Sequence, residues 1–97
     1  MAARPLAALI RRPRPSSRTP PRQARLYLKA DCGLCEAALE LLRPLVRAGR
    51  LAVETVDIEA DPQLFRRYCL RIPVLELRGG PTLDWPFDHL AVRRALG

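Results

Sequence analysis

Two cysteines separated by two residues are the part of this sequence best suited to chemistry. Cys32 and Cys35 stand in DCGLC, residues 31–35, and C-x-x-C in a soluble chain without a secretory signal points to redox or metal chemistry. The chain has three cysteines, so a complete disulfide framework within one molecule is excluded. The pair has three interpretations: a redox-active dithiol, half of a metal site, or two small core residues.

The redox interpretation depends on the elements that flank the pair. ARLYLKA (24–30) alternates apolar and polar residues and predicts a strand, whereas helical spacing of apolar residues predicts a helix from 33 to about 48, which Gly49 ends. Cys32 would then lie just before the helix, with Asp31 as the N-cap, and Cys35 in the first turn. Unpaired backbone N–H groups and the positive helix end stabilise a thiolate there. Cys32 is therefore the candidate nucleophile and Cys35 the candidate resolving thiol.

A metal site needs more ligands than this pair supplies. A structural zinc site has four, and the sequence adds only Cys69 and His89, which lie in later elements without the usual ligand spacing. A cluster shared between two chains is a further alternative. Cys69 is also a candidate extra resolving thiol, although a small buried residue is the interpretation we favour.

The remaining elements follow from periodicity and turn residues. LAVETVDIEA (51–60) predicts a strand buried on both faces, and DPQLFRRYCL (61–70) a short helix with an Asp N-cap followed by Pro. PVLEL (73–77) and TLDW (82–85) predict two antiparallel strands joined by a tight turn, and the last helix begins near residue 86. The order βαβαββα predicts an α/β domain with a four-stranded mixed sheet and three helices.

Residues 1–23 differ in composition from the rest of the chain. They hold five of the ten prolines, six of the 17 basic residues and no acidic residue, and we expect a disordered basic leader before a domain at 24–97. Because the leader carries most of the net charge of +7, that charge does not indicate nucleic-acid binding by the domain. No run is apolar enough to cross a membrane. We expect a cytoplasmic protein, or an organellar one if the leader is the transit peptide that it resembles.

The element order, CGLC at a helix start and RIPVLEL (71–77) at the third strand together resemble the thioredoxin superfamily. More closely, residues 24–96 resemble the small glutaredoxin-like proteins of bacteria and organelles, which have no firmly assigned substrate. The resemblance implies a thioredoxin/glutaredoxin-like fold and a cis peptide bond between Ile72 and Pro73. It also implies that Pro73 packs beside the cysteines, that Ile72 offers backbone groups to an extended substrate, and that Lys29 contacts a glutathione carboxylate.

The sequence departs from classical glutaredoxins in three places. Gly-Leu stands between the cysteines instead of Pro-Tyr, and no aromatic residue precedes Cys32. The Gly-Gly-x-Asp element that holds the amino-terminal end of glutathione is replaced by LDWPFD (83–88). Asp84 and Asp88 are the residues available to substitute for its carboxylate.

These observations predict a monomeric, glutaredoxin-like thiol–disulfide oxidoreductase without a bound cofactor. Its expected partner is a disulfide-containing protein or glutathione as a co-substrate, with electrons from glutathione or a thioredoxin-type reductase. One alternative is a noncatalytic thioredoxin-fold module that binds a peptide in the same groove. The other is a metal or iron–sulfur carrier in which two protomers share ligands.

Overall fold

The computed structural model describes residues 19–97, and the expected leader lies almost entirely outside them. The strands in this part of the chain are β1 (Arg22–Leu28), β2 (Leu51–Asp57), β3 (Val74–Leu77) and β4 (Thr82–Asp84). The α-helices are α1 (Gly33–Arg47), α2 (Pro62–Tyr68) and α3 (His89–Leu96). The predicted α/β class and the order βαβαββα are confirmed. β1 begins and ends two residues earlier than the strand predicted over 24–30.

The strands form one mixed sheet in the order β2-β1-β3-β4. β1 runs parallel to β2 and antiparallel to β3, and β3 and β4 form an antiparallel hairpin. Leu26, at the middle of β1, pairs with Thr55 on one side and Leu75 on the other. The first crossover, through α1, is therefore the βαβ unit that the sequence predicts.

The two faces of the sheet are covered to different extents. On one face, Leu26 and Leu75 join Leu42 of α1 and Val92 of α3 in the larger core cluster. On the other face, a smaller cluster comprises Tyr27, Ile58, Tyr68 and Val74, with Leu64 packed against it. Since α2 supplies both Leu64 and Tyr68, this helix covers the end of the sheet at which β1 finishes and β3 begins.

The expectation that β2 is buried on both faces and extends to residue 60 is wrong. β2 lies at the edge of the sheet, where Glu54 on one face and Thr55 and Asp57 on the other are exposed, because the helices on the two faces leave this part of the edge strand uncovered. Glu54 there accepts a hydrogen bond from Arg25 of β1. The strand ends at Asp57, whose side chain accepts the N–H of Glu59 and begins a 3-10 turn over residues 58–60.

Helix boundaries follow the predicted signals with two corrections. Cys32, not Asp31, is the N-cap of α1, and Asp31 instead adopts a left-handed backbone conformation with φ of 53°. α3 begins at His89 rather than near Pro86, because the side chain of Asp88 caps it.

The start of α2 and the end of α1 agree with the prediction, whereas α2 ends at Tyr68, two residues before the predicted end at residue 70. α2 starts with Asp61 as the N-cap and Pro62 in the first turn. α1 continues through Pro44 and ends before Gly49, whose φ of 75° is a conformation that glycine adopts without a steric penalty. None of the helices in residues 19–97 combines the length and apolarity needed to cross a membrane.

Candidate redox site

Cys32 and Cys35 are joined by a disulfide at the start of α1, with their Cα atoms 5.2 Å apart. The two sulfurs have different environments. Cys32 is half-buried at the N-cap position, whereas Cys35 lies within the first helical turn and is only 2% exposed. A reagent can therefore reach Cys32 more readily than Cys35, as the roles of nucleophile and resolving thiol require.

The helix start directs a hydrogen-bond donor at the outer sulfur. The backbone N–H of Cys35 donates to the Sγ of Cys32 across 3.2 Å, and the N–H of Glu36 donates to the Cys32 carbonyl at 3.1 Å. The first N–H groups of a helix have no partner within the helix, so the sulfur satisfies one of them. The same donor and the helix dipole favour negative charge on Cys32 after reduction. Asp31 and Glu36 oppose this effect with their own negative charges.

Strand pairing brings Pro73 to the same end of the sheet as the cysteine loop. Tyr27 of β1 pairs with Val74 of β3, so Pro73 lies across from Leu28, where the chain leaves β1 for Cys32. Pro73 is fully buried, and the Ile72–Pro73 peptide bond is cis, as the resemblance implied. The roles of Ile72 and Pro73 in substrate binding stay predictions.

A second cis peptide bond, between Trp85 and Pro86, was not anticipated, because most X–Pro bonds are trans. Trp85 follows β4 and its N–H donates to the carbonyl of Pro73 at 3.2 Å. Its ring packs edge-on against Phe87 with centroids 5.1 Å apart, and Phe87 is buried among the side chains of α1 and α3. Trp85 and Phe87 therefore cover the end of the sheet beside Pro73.

The other candidate residues lie on different elements around the cysteine pair. Lys29 is exposed in the loop three residues before Cys32, and its contact with glutathione stays a prediction. Ile72 and Cys69 are partly buried and pack against the cluster of Tyr27 and Tyr68. Cys69 therefore lies on the α2 side of the sheet, opposite the face that α1 covers, which supports the interpretation as a small packed residue.

The two aspartates considered for glutathione already have partners. Arg71 donates from Nε to Oδ2 of Asp84 at 3.1 Å and from Nη2 to Oδ1 at 2.9 Å. These hydrogen bonds hold the pKa of Asp84 below its usual value, although slight desolvation acts in the opposite direction. The side chain of Asp88 accepts a hydrogen bond from the N–H of Ala91 at 2.8 Å and thereby caps α3. The Arg71–Asp84 pair could not be predicted from the sequence, since no local pattern joins residues on different elements.

The described part of the chain offers no metal site around the pair. Within residues 19–97, no three side chains of His, Cys, Asp or Glu form a group that could hold an ion. Cys69 packs on the α2 side of the sheet, and His89 is exposed on α3. Within one chain, neither Cys69 nor His89 therefore lies in a cluster with Cys32 and Cys35.

Comparisons with known proteins agree with this geometry. The sequence model of the glutaredoxin-like domain (DUF836) matches residues 23–97. Protein XcR50 from X. campestris, known from an X-ray structure, is 44% identical, and the match covers 73% of this chain and 91% of that chain with a TM-score of 0.63. The solution NMR structure of protein Ne2328 from Nitrosomonas europaea is 26% identical, with coverage of 86% and 100% and a TM-score of 0.70. No curated protein matches the chain significantly.

Apart from Arg22, the first residue of β1, the family match includes the four strands and three α-helices of the described residues, together with the cysteine pair. The sheet order and the disulfide at a helix start are those of a thioredoxin-like fold. The chain therefore belongs to the glutaredoxin-like domain family (DUF836).

Proposed function

We propose that this protein is a thiol–disulfide oxidoreductase that reacts through Cys32 and Cys35. The observation that carries the proposal is the asymmetry of the pair. A half-buried sulfur at a helix start receives a backbone hydrogen bond, and a nearly inaccessible sulfur lies one turn further on. Family membership supports thiol–disulfide chemistry in general. The substrate and the direction of electron flow belong to the proposal.

In the first half-reaction, the Cys32 thiolate attacks one sulfur of a substrate disulfide. A bond forms between Cys32 and that sulfur while the substrate S–S bond breaks. The other substrate sulfur leaves as a thiolate and takes up a proton. The backbone N–H of Cys35 favours this step because it stabilises Cys32 as the attacking anion.

In the second half-reaction, Cys35 loses its proton and attacks the Sγ of Cys32. The mixed disulfide breaks, the Cys32–Cys35 disulfide forms, and the second substrate thiolate leaves and is protonated. Two electrons pass from the protein dithiol to the substrate disulfide. A thiol reductant, proposed here to be glutathione, returns two electrons to the pair and is itself oxidised to a disulfide.

The surrounding residues have proposed roles in holding the substrate. Pro73 and the backbone of Ile72 orient an extended segment beside the disulfide, and Lys29 contacts a glutathione carboxylate. Because both cysteines are in one chain, a monomer contains the complete reactive pair. The reaction belongs in a reducing compartment such as the cytoplasm, where thiols are kept reduced.

Single cysteine variants test this proposal. The measurement is the rate at which the protein, with glutathione as reductant, reduces a synthetic peptide that contains a disulfide. Cys32→Ser should abolish the reaction. Reduced Cys35→Ser, mixed with the peptide in the absence of glutathione, should accumulate a mixed disulfide on Cys32 that mass spectrometry detects. Cys69→Ser is the matched control and should leave the rate unchanged. A Cys32→Ser protein with the wild-type rate would contradict the proposal and favour the noncatalytic binding module.

A further inference from the structure

An ion pair joins the loop before Pro73 to the end of β4. Arg71 lies two residues before Pro73, and Asp84 is the last residue of β4. The guanidinium donates from two different nitrogens to the two carboxylate oxygens, at 3.1 and 2.9 Å. A bidentate pair of this kind fixes orientation as well as distance, which a single hydrogen bond does not.

The face of the same guanidinium is also in contact. Its Cζ lies 5.1 Å from the centroid of the Tyr68 ring, and Tyr68 stacks on Tyr27 of β1 with centroids 4.4 Å apart. Tyr27 in turn donates its hydroxyl to Glu76 of β3 at 2.7 Å. The nitrogens of the Arg71 guanidinium are therefore hydrogen-bonded to Asp84 of β4. The flat face of the same group lies against the stack of Tyr68 on Tyr27, and Tyr27 belongs to the central strand β1.

Backbone hydrogen bonds anchor the two ends of this loop. The N–H groups of Arg71 and Ile72 both donate to the carbonyl of Tyr68, at 2.8 and 3.0 Å. At the other end, Trp85 donates to the carbonyl of Pro73. Between these anchors, the Arg71 side chain spans from the loop to the sheet. It thereby limits how far the segment before Pro73 can move relative to the end of β1, where the cysteine loop begins.

We propose that Arg71 and Asp84 are positioning residues for the reaction of Cys32 with a peptide disulfide. This inference rests on the proposed function. The pair holds the Ile72–Pro73 segment at the distance from the cysteines that lets a bound peptide present its sulfur to Cys32. The two side chains are 41% and 49% exposed, and exposed ion pairs contribute little to global stability. The effect of the pair should therefore appear in substrate positioning rather than in the thermal stability of the protein.

Two variants of similar size break the pair. Asp84→Asn removes the carboxylate charge, and Arg71→Lys keeps the positive charge but loses the bidentate geometry. The matched control is Arg67→Lys, because Arg67 also lies over the Tyr68 ring, at 5.8 Å, but on α2. Thermal unfolding of each variant verifies that the fold is retained.

Each protein is measured with two reactants and for its midpoint potential. The first rate is reduction of a disulfide in a synthetic peptide by the reduced protein, and the second is reduction of the oxidised protein by dithiothreitol. Asp84→Asn and Arg71→Lys should lower the peptide rate about tenfold, since a misplacement of ~1 Å costs up to about a hundredfold. The dithiothreitol rate and the midpoint potential should stay at wild-type values, because neither requires a docked peptide. Arg67→Lys should retain the wild-type peptide rate, dithiothreitol rate and midpoint potential.

Wild-type peptide rates in both variants would overturn the inference, and so would equal losses with peptide and dithiothreitol. A wild-type protein that does not reduce the peptide at all contradicts the proposed function itself, and the inference falls with it. The two failures are distinguishable because the first appears only in the variants and the second already appears in the wild type.

Discussion

The backbone N–H of Cys35 donates a hydrogen bond to the sulfur of Cys32, so one atom caps α1 and is also the proposed nucleophile. Serine, threonine, aspartate and asparagine are the usual residues at this position. A cysteine here makes helix formation and reactivity depend on the same contact. We expect the folded helix to direct that donor at the sulfur after reduction as well.

This contact predicts a Cys32 thiol that is more acidic than free cysteine. In reduced Cys69→Ser protein, the Cys32 pKa should lie below about 8.5, because the helix start stabilises the thiolate. The ultraviolet absorbance of the thiolate, followed against pH, measures this, and the Cys32→Ser, Cys69→Ser double variant supplies the baseline. A Cys32 thiol that titrates at or above the free value would contradict the prediction.

The larger core cluster predicts a strong contrast between two leucines of α1. Leu42 is 1% exposed and packs against the sheet, whereas Leu39 on the same helix is 37% exposed. Leu42→Ala should lower the free energy of unfolding by about 2–5 kcal/mol, since it removes buried methyl groups and leaves a cavity. Leu39→Ala is the matched control and should cost much less. Urea unfolding of both variants gives the comparison, and equal losses would mean that α1 does not pack as described.

Tyr27 predicts a change in stability at alkaline pH. Burial raises the pKa of Tyr27, and its hydrogen bond to Glu76 raises it further. The stabilisation linked to this shift is fully present below the unfolded tyrosine pKa of about 10 and is lost as pH rises through the folded value. Tyr27→Phe should cost about 1–2 kcal/mol at neutral pH, because the hydrogen bond to a carboxylate is lost.

The test of this prediction is urea unfolding of both proteins at a series of pH values. The difference between wild type and Tyr27→Phe should be constant from neutral pH to about pH 9 and should shrink above pH 10. A difference that does not change with alkaline pH would mean that the Tyr27 hydroxyl has no raised pKa in the fold.

The Arg71–Asp84 pair predicts an effect at acidic pH. The hydrogen bonds from Arg71 lower the pKa of Asp84, so the stabilisation linked to this carboxylate is present above the unfolded pKa of about 3.9. It is lost as pH falls through the lower folded value. The stability difference between wild type and Asp84→Asn should therefore be small at neutral pH and should disappear in strong acid. A difference that grows as pH falls would contradict the lowered pKa.

Local signals predicted most of the fold. The helical spacing of apolar residues identified α1, Asp61 and Pro62 marked the start of α2, and Gly49 marked the end of α1. The position of the cysteines at a helix start followed from the same signals. These predictions succeed because caps and periodicity depend on residues within one or two turns of each other.

Features that depend on distant residues could not be predicted. Asp31 has the better cap propensity, but its left-handed conformation places the helix start one residue later, at Cys32. Asp84 meets Arg71 because the hairpin register places it opposite Val74, close to the loop before Pro73. Hydropathy alone likewise could not show that part of β2, at the edge of the sheet, is uncovered on both faces.

A redox titration of metal-free Cys69→Ser protein in glutathione buffers of graded ratio tests the central claim most directly. Samples are acid-quenched and alkylated, and mass spectrometry of peptides locates the modified cysteines. We expect a reversible disulfide between Cys32 and Cys35, with a midpoint between about −120 and −270 mV, the span of catalytic dithiols. If neither cysteine responds to the buffers until the protein unfolds, the pair is structural and the proposed function is wrong.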